Sequence, residues 1–434
     1  MEKLFLGVAR EIITPEVGGQ LYGYRPDVFS ESVADDLTVT AFYFKYGNTQ
    51  ALMLSATVCL IQTELSQRIL SLIEQNFGIP KKNCMLSATH THSGPNTAGE
   101  TGWGDIDTKY CDEIFIPAIR SAVEKATNHI QPVKMGTAHG TSLVGINRRE
   151  ITEDNETVLG QNPWGCFNPK MTVISFADLN GNKIANIVHY GAHGTAAGAN
   201  HEISRDWSGI MIDTLEKQSG ALTAFFNGPE GDVGPRLSNK KTVGDLSYVR
   251  ELGAVAARDA VGIFERIHHY TDVAVSVSHK KLQIPLKKRI SVNDAGRMLE
   301  IYKDHTVNLK GMIRKHLENT IQSYKDGFVD QDAWVVEQTI IALGDLVFVS
   351  FPYELFSEIG MRIDKAFQTK SVLSLSNTNG SEGYFITQDA ICRGGYEVRM
   401  FLYGHIQPFC DDADFALMQE TVNHIKNIRN ESEE

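Results

Sequence analysis

Apolar residues along this chain recur at period two in some stretches and at helical spacing in others, from one end to the other, the pattern of an α/β protein. VTAFYFKYG (39–47) and QALMLSATV (50–58) are β-rich runs separated by Gly47 and Asn48, which predicts a hairpin. Residues 63–77 carry apolar side chains at helical spacing, and 83–88 reads as a short strand running into ATHTHSGP. Helices are predicted over 110–129, 206–218 and 246–268. MTVISFADLNGNKIANIVHYGAH (171–193) reads as two strands around an Asn-Gly turn, and ALTAFF (221–226) as another strand. A second hairpin is expected in QTIIALGDLVFVSFP (338–352), and FPYELFSEIGMRI begins a helix. The region from about 287 to 333 is the most polar and helical, so it reads as an insertion or a lid. No Pro/Gly/Ser-rich linker or internal repeat interrupts the chain, and only the closing NESEE looks frayed.

Composition narrows the classes of function. The 434 residues are 42% hydrophobic and 22% charged, as in folded globular proteins. A length prior of about 150 residues per domain suggests two or three units. The net charge of −12 argues against a protein built to grip nucleic acid. No run of 18 apolar residues occurs, so no transmembrane helix is expected. The apolar opening is broken at Arg10 and Glu11, too early for a secretory leader, which points to the cytoplasm. The six cysteines show no CxxC pair and read as reduced core residues.

Three segments carry candidate chemistry. The first is Ser87-Ala88-Thr89-His90-Thr91-His92-Ser93-Gly94-Pro95, where a short strand delivers two histidines before Gly-Pro turns the chain. On extended backbone His90 and His92 would share one face, at a strand end where α/β proteins place ligands. They either bind a metal or hydrogen-bond the loop. The second is HYGAHGTAAGANHEISRDW, with His189, His193 and His201 among small residues that let a ligand approach the backbone. A catalytic zinc site needs three protein N, O or S ligands and an open position. The third is NGPEGDVGPR (227–236), either a shaped loop at a site or a tight turn with Asp232 capping an amide.

Together these segments resemble the catalytic domain of the neutral, non-lysosomal ceramidase family. GVAREIITP, THTHSGP, GINRR (145–149), GDVGP, FPYELF (351–356) and SEGYFITQDAICRGGYE (381–397) resemble that family's segments in order, nearly along the whole chain. The resemblance implies an α/β fold with mixed sheets flanked by helices, residues 1–434 forming one catalytic domain. It implies one Zn²⁺ held by His90, His193, Glu354 and Tyr384, with His92, Arg148 and Tyr396 lining the reaction centre. Zinc would polarise an amide carbonyl and bring a water pKa from 15.7 toward roughly 7. His92 is the candidate for proton transfer, and Arg148 and Tyr396 for hydrogen bonds to the developing oxyanion. Read without the family, Glu354 is a helix-start carboxylate, Arg148 a surface or ion-pair arginine, and Tyr384 and Tyr396 core aromatics.

The chain departs from the family in two ways. The family's loop reads GDVSP, whereas Gly234 stands at the serine position, so a covalent serine mechanism there is excluded. Asp232, Gly234 and Arg236 then form the loop expected to meet substrate, and Arg236 suggests an anionic or smaller polar head group. The family typically carries a leader and a C-terminal β-sandwich domain, while this chain ends about 40 residues after GGYE. The resulting expectation is a cytoplasmic zinc hydrolase of a soluble small-molecule amide rather than ceramide. An esterase or lactonase, a true ceramidase, and a non-catalytic binding protein remain the alternatives. No interface signature such as a heptad reveals an oligomeric state.

Overall fold

Strand Thr38–Tyr46 pairs antiparallel with Thr49–Ala56 across Gly47, whose φ of +54° suits the tight turn that the hairpin pattern predicts. In the computed structural model, which describes residues 2–428, this hairpin lies within an eight-stranded sheet. The order runs Leu222–Asn227, Lys183–Tyr190, Lys170–Asp178, Gln131–Thr141, Phe5–Ile12, Thr38–Tyr46, Thr49–Ala56, Cys84–Ala88. The outermost pairing at each end is parallel and the inner ones are antiparallel. NESEE lies outside the described residues.

The sheet curls until its edges touch. Ser55 Oγ donates to Phe225 O at 2.6 Å, and Asn227 Nδ2 to Thr89 O at 3.1 Å. The edges therefore do not stay open as pairing templates, and segments about 100 residues apart come together. Both histidine segments leave strands at this seam.

Alternation along the strands separates two cores. Phe42, Phe44, Phe176 and Phe226 point inward against a second sheet, Val275–Pro285, Ala333–Leu343, Leu346–Ser350 and Ser371–Leu375, meeting Ile341, Phe348 and Leu373. The other face of the large sheet lies under helices Thr63–Phe77 and Ile116–Asn128 at one end and Asp206–Ser219 and Leu246–Phe264 at the other. The outer face of the second sheet is covered by helices from the last third of the chain. The layers thus run helix, sheet, sheet, helix. Truncating Phe226 or Phe348 to Ala between the sheets costs about 3–5 kcal/mol.

The polar region 287–333 forms helices Val292–Tyr302 and Asn308–Lys325, inserted between the paired strands Val275–Pro285 and Ala333–Leu343. Their Ala295, Met312, Ile313 and Leu317 are buried in the outer-layer core. Phe5–Ile12 is a central strand that accommodates Arg10, whose Nε bonds Thr40 Oγ1 and whose Nη2 meets Glu216. One sequence expectation is corrected. Cys59, Cys84 and Cys111 are buried, but Cys166 and Cys392 are exposed and Cys410 is intermediate, so only half the cysteines are core residues. No helix among the described residues is long and apolar enough to cross a membrane.

Candidate metal centre

The strand carrying the first histidine pair ends at Ala88, and His90 has φ +68°, not the extended backbone expected for it. A non-glycine residue in the left-handed region is held there by its surroundings. His90 N donates to Val58 O at 2.9 Å and its carbonyl accepts from Gly194 N at 3.2 Å. The turn still brings His90 and His92 together, with 3.2 Å between their Nε2 atoms. Gly23, at φ +125°, packs so close to the His92 ring that a Cβ there would lie 2.3 Å from Nδ1.

His193 follows strand Lys183–Tyr190 across the seam, and its ring stands edge-on to His90 with centroids 4.4 Å apart. The rear nitrogens of both rings are occupied. His90 Nδ1 is 3.0 Å from Cys59 O, and His193 Nδ1 is 2.9 Å from Glu230 O and 3.2 Å from Val233 O. As Nδ1–H donors to these carbonyls, both imidazoles present a lone pair at Nε2.

Glu354 reaches the same point from short strand Glu354–Leu355, which pairs parallel with Tyr384–Phe385. Its Oε2 lies 3.5 Å from His90 Nε2 and 3.1 Å from His193 Nε2, is buried, and has no hydrogen-bond partner. Tyr384 Oη is 3.5 Å from His193 Nε2. Zinc bonds of about 2.0–2.1 Å in a tetrahedron put neighbouring ligand atoms about 3.4 Å apart. The spacings of 3.1–3.5 Å, with the orphaned carboxylate oxygen and the two bare imidazole nitrogens, fit such an ion. Burial holds both histidines well below their usual pKa, hence neutral, as a ligand requires. Cys59 also lies near His90, but its thiol is 3.8 Å from Nδ1, on the rear of the ring, and burial keeps it protonated.

Arg148 and Arg149 are both buried, share Glu397 and differ in their other partners. A bulge between Asn147 and Arg149 breaks the alternation of strand Gly145–Ile151. Arg148 Nη2 donates to Tyr384 Oη and its Nε to Glu397 Oε1, each at 2.8 Å. Arg149 donates to Glu397 Oε2 at 2.7 Å and to Gly394 O, facing away from the phenol. Burial pushes the Tyr384 phenol up and the Arg148 charge opposes this. Tyr396 opens helix Tyr396–Tyr403 with its ring edge-on to Tyr384 at 5.8 Å. His92, lowered to about 4 by burial, is neutral at the edge of this group.

The remaining candidates do not reach the cluster of Nε2 atoms. His189 Nε2 bonds Ser374 O at 2.9 Å, and exposed His201 bonds Phe29 O. Asp232 accepts from the Ser357 amide at 2.7 Å and Oγ at 3.1 Å, tying the loop to helix Ser357–Lys365. Arg236 lies over the Phe167 ring and donates to Gly145 O. A Cβ on Gly234 would meet Thr242 Cγ2 at 2.8 Å, so Thr242 fills the space a serine there would need. Sequence reasoning passed over Glu397, although GGYE displays it, and Glu230, a charge set among loop glycines and prolines.

The profile described as neutral/alkaline non-lysosomal ceramidase, N-terminal, matches residues 5–247, more than half of the chain. Neutral ceramidase A of Dictyostelium discoideum is 30% identical over 248 residues, 52% of this chain and 35% of that protein. Neutral ceramidase of Pseudomonas aeruginosa is 27% identical over 188 residues, 40% of this chain and 28% of that protein. The matches thus span about a third of the relatives' own length. The crystal structure of the Pseudomonas aeruginosa neutral ceramidase superposes on 99% of this chain and 75% of its own, with a TM-score of 0.78 at 19% identity, a likeness of fold. With that fold, and with a family profile covering both histidine segments and the GDVGP loop, the chain belongs to the neutral/alkaline non-lysosomal ceramidase family.

Proposed function

We propose that the chain is a zinc-dependent hydrolase of a non-peptide amide bond in a small polar substrate, carried out by residues 1–434 as one catalytic domain. The observation that carries this reading is the convergence of two bare imidazole nitrogens on an unpartnered, buried carboxylate oxygen. His90, His193, Glu354 and Tyr384 would hold the ion. Zinc, when bound, supplies a Lewis acid that polarises a carbonyl and acidifies a water molecule.

The chain's own residues do the rest. Neutral His92 takes the proton of the attacking water at Nε2 and returns it to the leaving nitrogen. Arg148, clamped by Glu397, keeps its charge beside Tyr384, where negative charge develops on the carbonyl oxygen. Tyr396 contributes its hydroxyl to the same oxygen. Gly234 offers no side-chain nucleophile, so the reaction proceeds without a covalent serine intermediate at this position.

A cavity of about 460 Å³ is lined by chain neighbours of this site. Leu60 follows Cys59, which meets His90, and Gly383 precedes Tyr384 and accepts from the Glu354 amide at 2.9 Å. Glu64, Glu100 and Glu382 line it, with no lysine or arginine among the described lining residues. Burial raises the Glu100 carboxyl to about 7, and Tyr22 donates to it at 2.8 Å. Such a wall accepts hydroxyl or amine donors and repels anions. It therefore supports a polar substrate but not the anionic head group suggested by Arg236.

The test combines zinc analysis of purified protein with turnover of N-acyl amino alcohols, N-acyl amino sugars, acidic N-acyl amino acids, esters, lactones and long-chain ceramide. One zinc per chain and fastest turnover of a hydroxyl-bearing amide are expected. A metal-free, inert protein would sink the reading, and fast ceramide hydrolysis would overturn the substrate argument alone.

A further inference from the structure

Behind Arg148, away from Tyr384, lies a second buried guanidinium that the proposed chemistry does not use. Arg149 is 7% exposed. Its Nη1 donates to Glu397 Oε2 at 2.7 Å, while the other oxygen of that carboxylate accepts from Arg148 Nε at 2.8 Å. Its Nη2 donates to Gly394 O at 2.7 Å, in the turn that leads into the helix opened by Tyr396. That turn wraps the guanidinium closely. Gly394 and Gly395 stand at φ +64° and +100°, and a Cβ on Gly395 would lie 3.2 Å from Arg149 Nη1. The guanidinium also lies over the Phe356 ring at 5.5 Å, on the segment that carries Glu354. One side chain thus joins the segments that bear Arg148, Glu354 and Tyr396.

We propose that Arg149 is a positioning residue: through Glu397 it fixes the Arg148 guanidinium against Tyr384, and through Gly394 it fixes the start of the helix that presents Tyr396. The inference rests on the zinc hydrolase reading above. Two buried arginines on one carboxylate are weak evidence for a stability role, because well-packed apolar residues in place of such a triad often fold as well or better. What apolar residues cannot supply is the fork. A guanidinium meets a carboxylate oxygen and a carbonyl at once from one rigid plane of donors, which a lysine ammonium lacks. Removing a group that supports a metal centre from behind typically costs about 10–100-fold in affinity or activity.

The probe is methylphosphonate, whose negative charge stands in for the developing oxyanion, titrated calorimetrically into the zinc-loaded full chain. Arg149→Met leaves Glu397 paired with Arg148, so it should keep one zinc per chain while weakening methylphosphonate binding about tenfold. In an Arg148→Met background the same substitution should cost less than about threefold, because the group through which it mainly acts is gone. Arg149→Lys can still meet Glu397 but not Gly394 O as well, and it should fall between Arg149→Met and wild type. If Arg149→Met does not fold, Arg149→Lys in the same two backgrounds decides the matter alone. Wild-type methylphosphonate affinity in a folded Arg149 variant, or an equal loss with and without Arg148, would overturn the positioning role. So would loss of zinc from Arg149→Met, or a zinc-loaded wild type that does not bind methylphosphonate. A wild-type protein that binds no zinc would instead overturn the metal site itself.

Discussion

The two sides of the histidine pair differ in what they leave unsatisfied. On the rear, every ring nitrogen meets a carbonyl, and Glu230 meets Asn377. On the front, His90 Nε2, His193 Nε2 and Glu354 Oε2 face one another at distances set for a shared ion, with the Tyr384 hydroxyl beside them. Burial does not separate the two carboxylates, since Glu354 is 5% exposed and Glu230 0%. What separates them is the company each keeps: one converges with lone pairs, the other meets an amide donor. A buried carboxylate oxygen facing two imidazole lone pairs calls for a cation.

The largest effect should come from breaking the front. His193→Gln or Glu354→Ala is expected to take zinc from one per chain to near zero by elemental analysis, with turnover lost in parallel. His189→Gln, four residues away in the same segment, should keep full zinc, because its ring bonds Ser374 O instead. Equal zinc loss in both glutamine variants would erase the distinction between the two histidines.

Next in size is the charge beside the front. Arg148→Met should retain zinc yet lower kcat/KM about 10²–10³-fold, the scale of losing one donor to a developing oxyanion. A loss of metal in parallel would assign Arg148 to supporting Tyr384 rather than to the reacting oxygen. Smaller again, Glu100→Gln should raise KM for hydroxyl- or amine-bearing amides several-fold and leave zinc content unchanged. An unchanged KM would remove Glu100 from substrate contact.

Much of the framework was legible because its signals are local. The Gly47–Asn48 turn, the Asn-Gly turn near 181 and the helical spacing of 63–77 each depend on a few adjacent residues. The histidines were legible as strand-end residues for the same reason. The left-handed backbone at His90 was not, because tertiary bonds to Val58 and Gly194 impose it against local preference. Nor was the closure of the sheet, which rests on pairs such as Ser55 with Phe225, 170 residues apart. Glu397 was hidden because its meaning lies in two arginines nearly 250 residues upstream. Residue by residue, the family resemblance brought Glu354, Tyr384 and Arg148 forward where the residues alone favoured a helix start, a core aromatic and a surface or ion-pair arginine.

The smallest effect returns to His189 and concerns stability rather than chemistry. Burial lowers its pKa to about 4, whereas the unfolded chain titrates near 6.5. The folded state therefore binds fewer protons than the unfolded state between these values. The stability that His189 contributes is complete above about pH 6.5 and is lost as the pH falls toward 4. Each pH unit within that window is worth about 1.4 kcal/mol, so roughly 2 kcal/mol should be lost between pH 6.5 and 5. His189→Gln can still donate to Ser374 O but cannot titrate, so urea unfolding of the variant should lose about 2 kcal/mol less than wild type over the same interval. Parallel losses in the two proteins would mean that His189 takes up its proton without unfolding, and that this part of the seam opens to water.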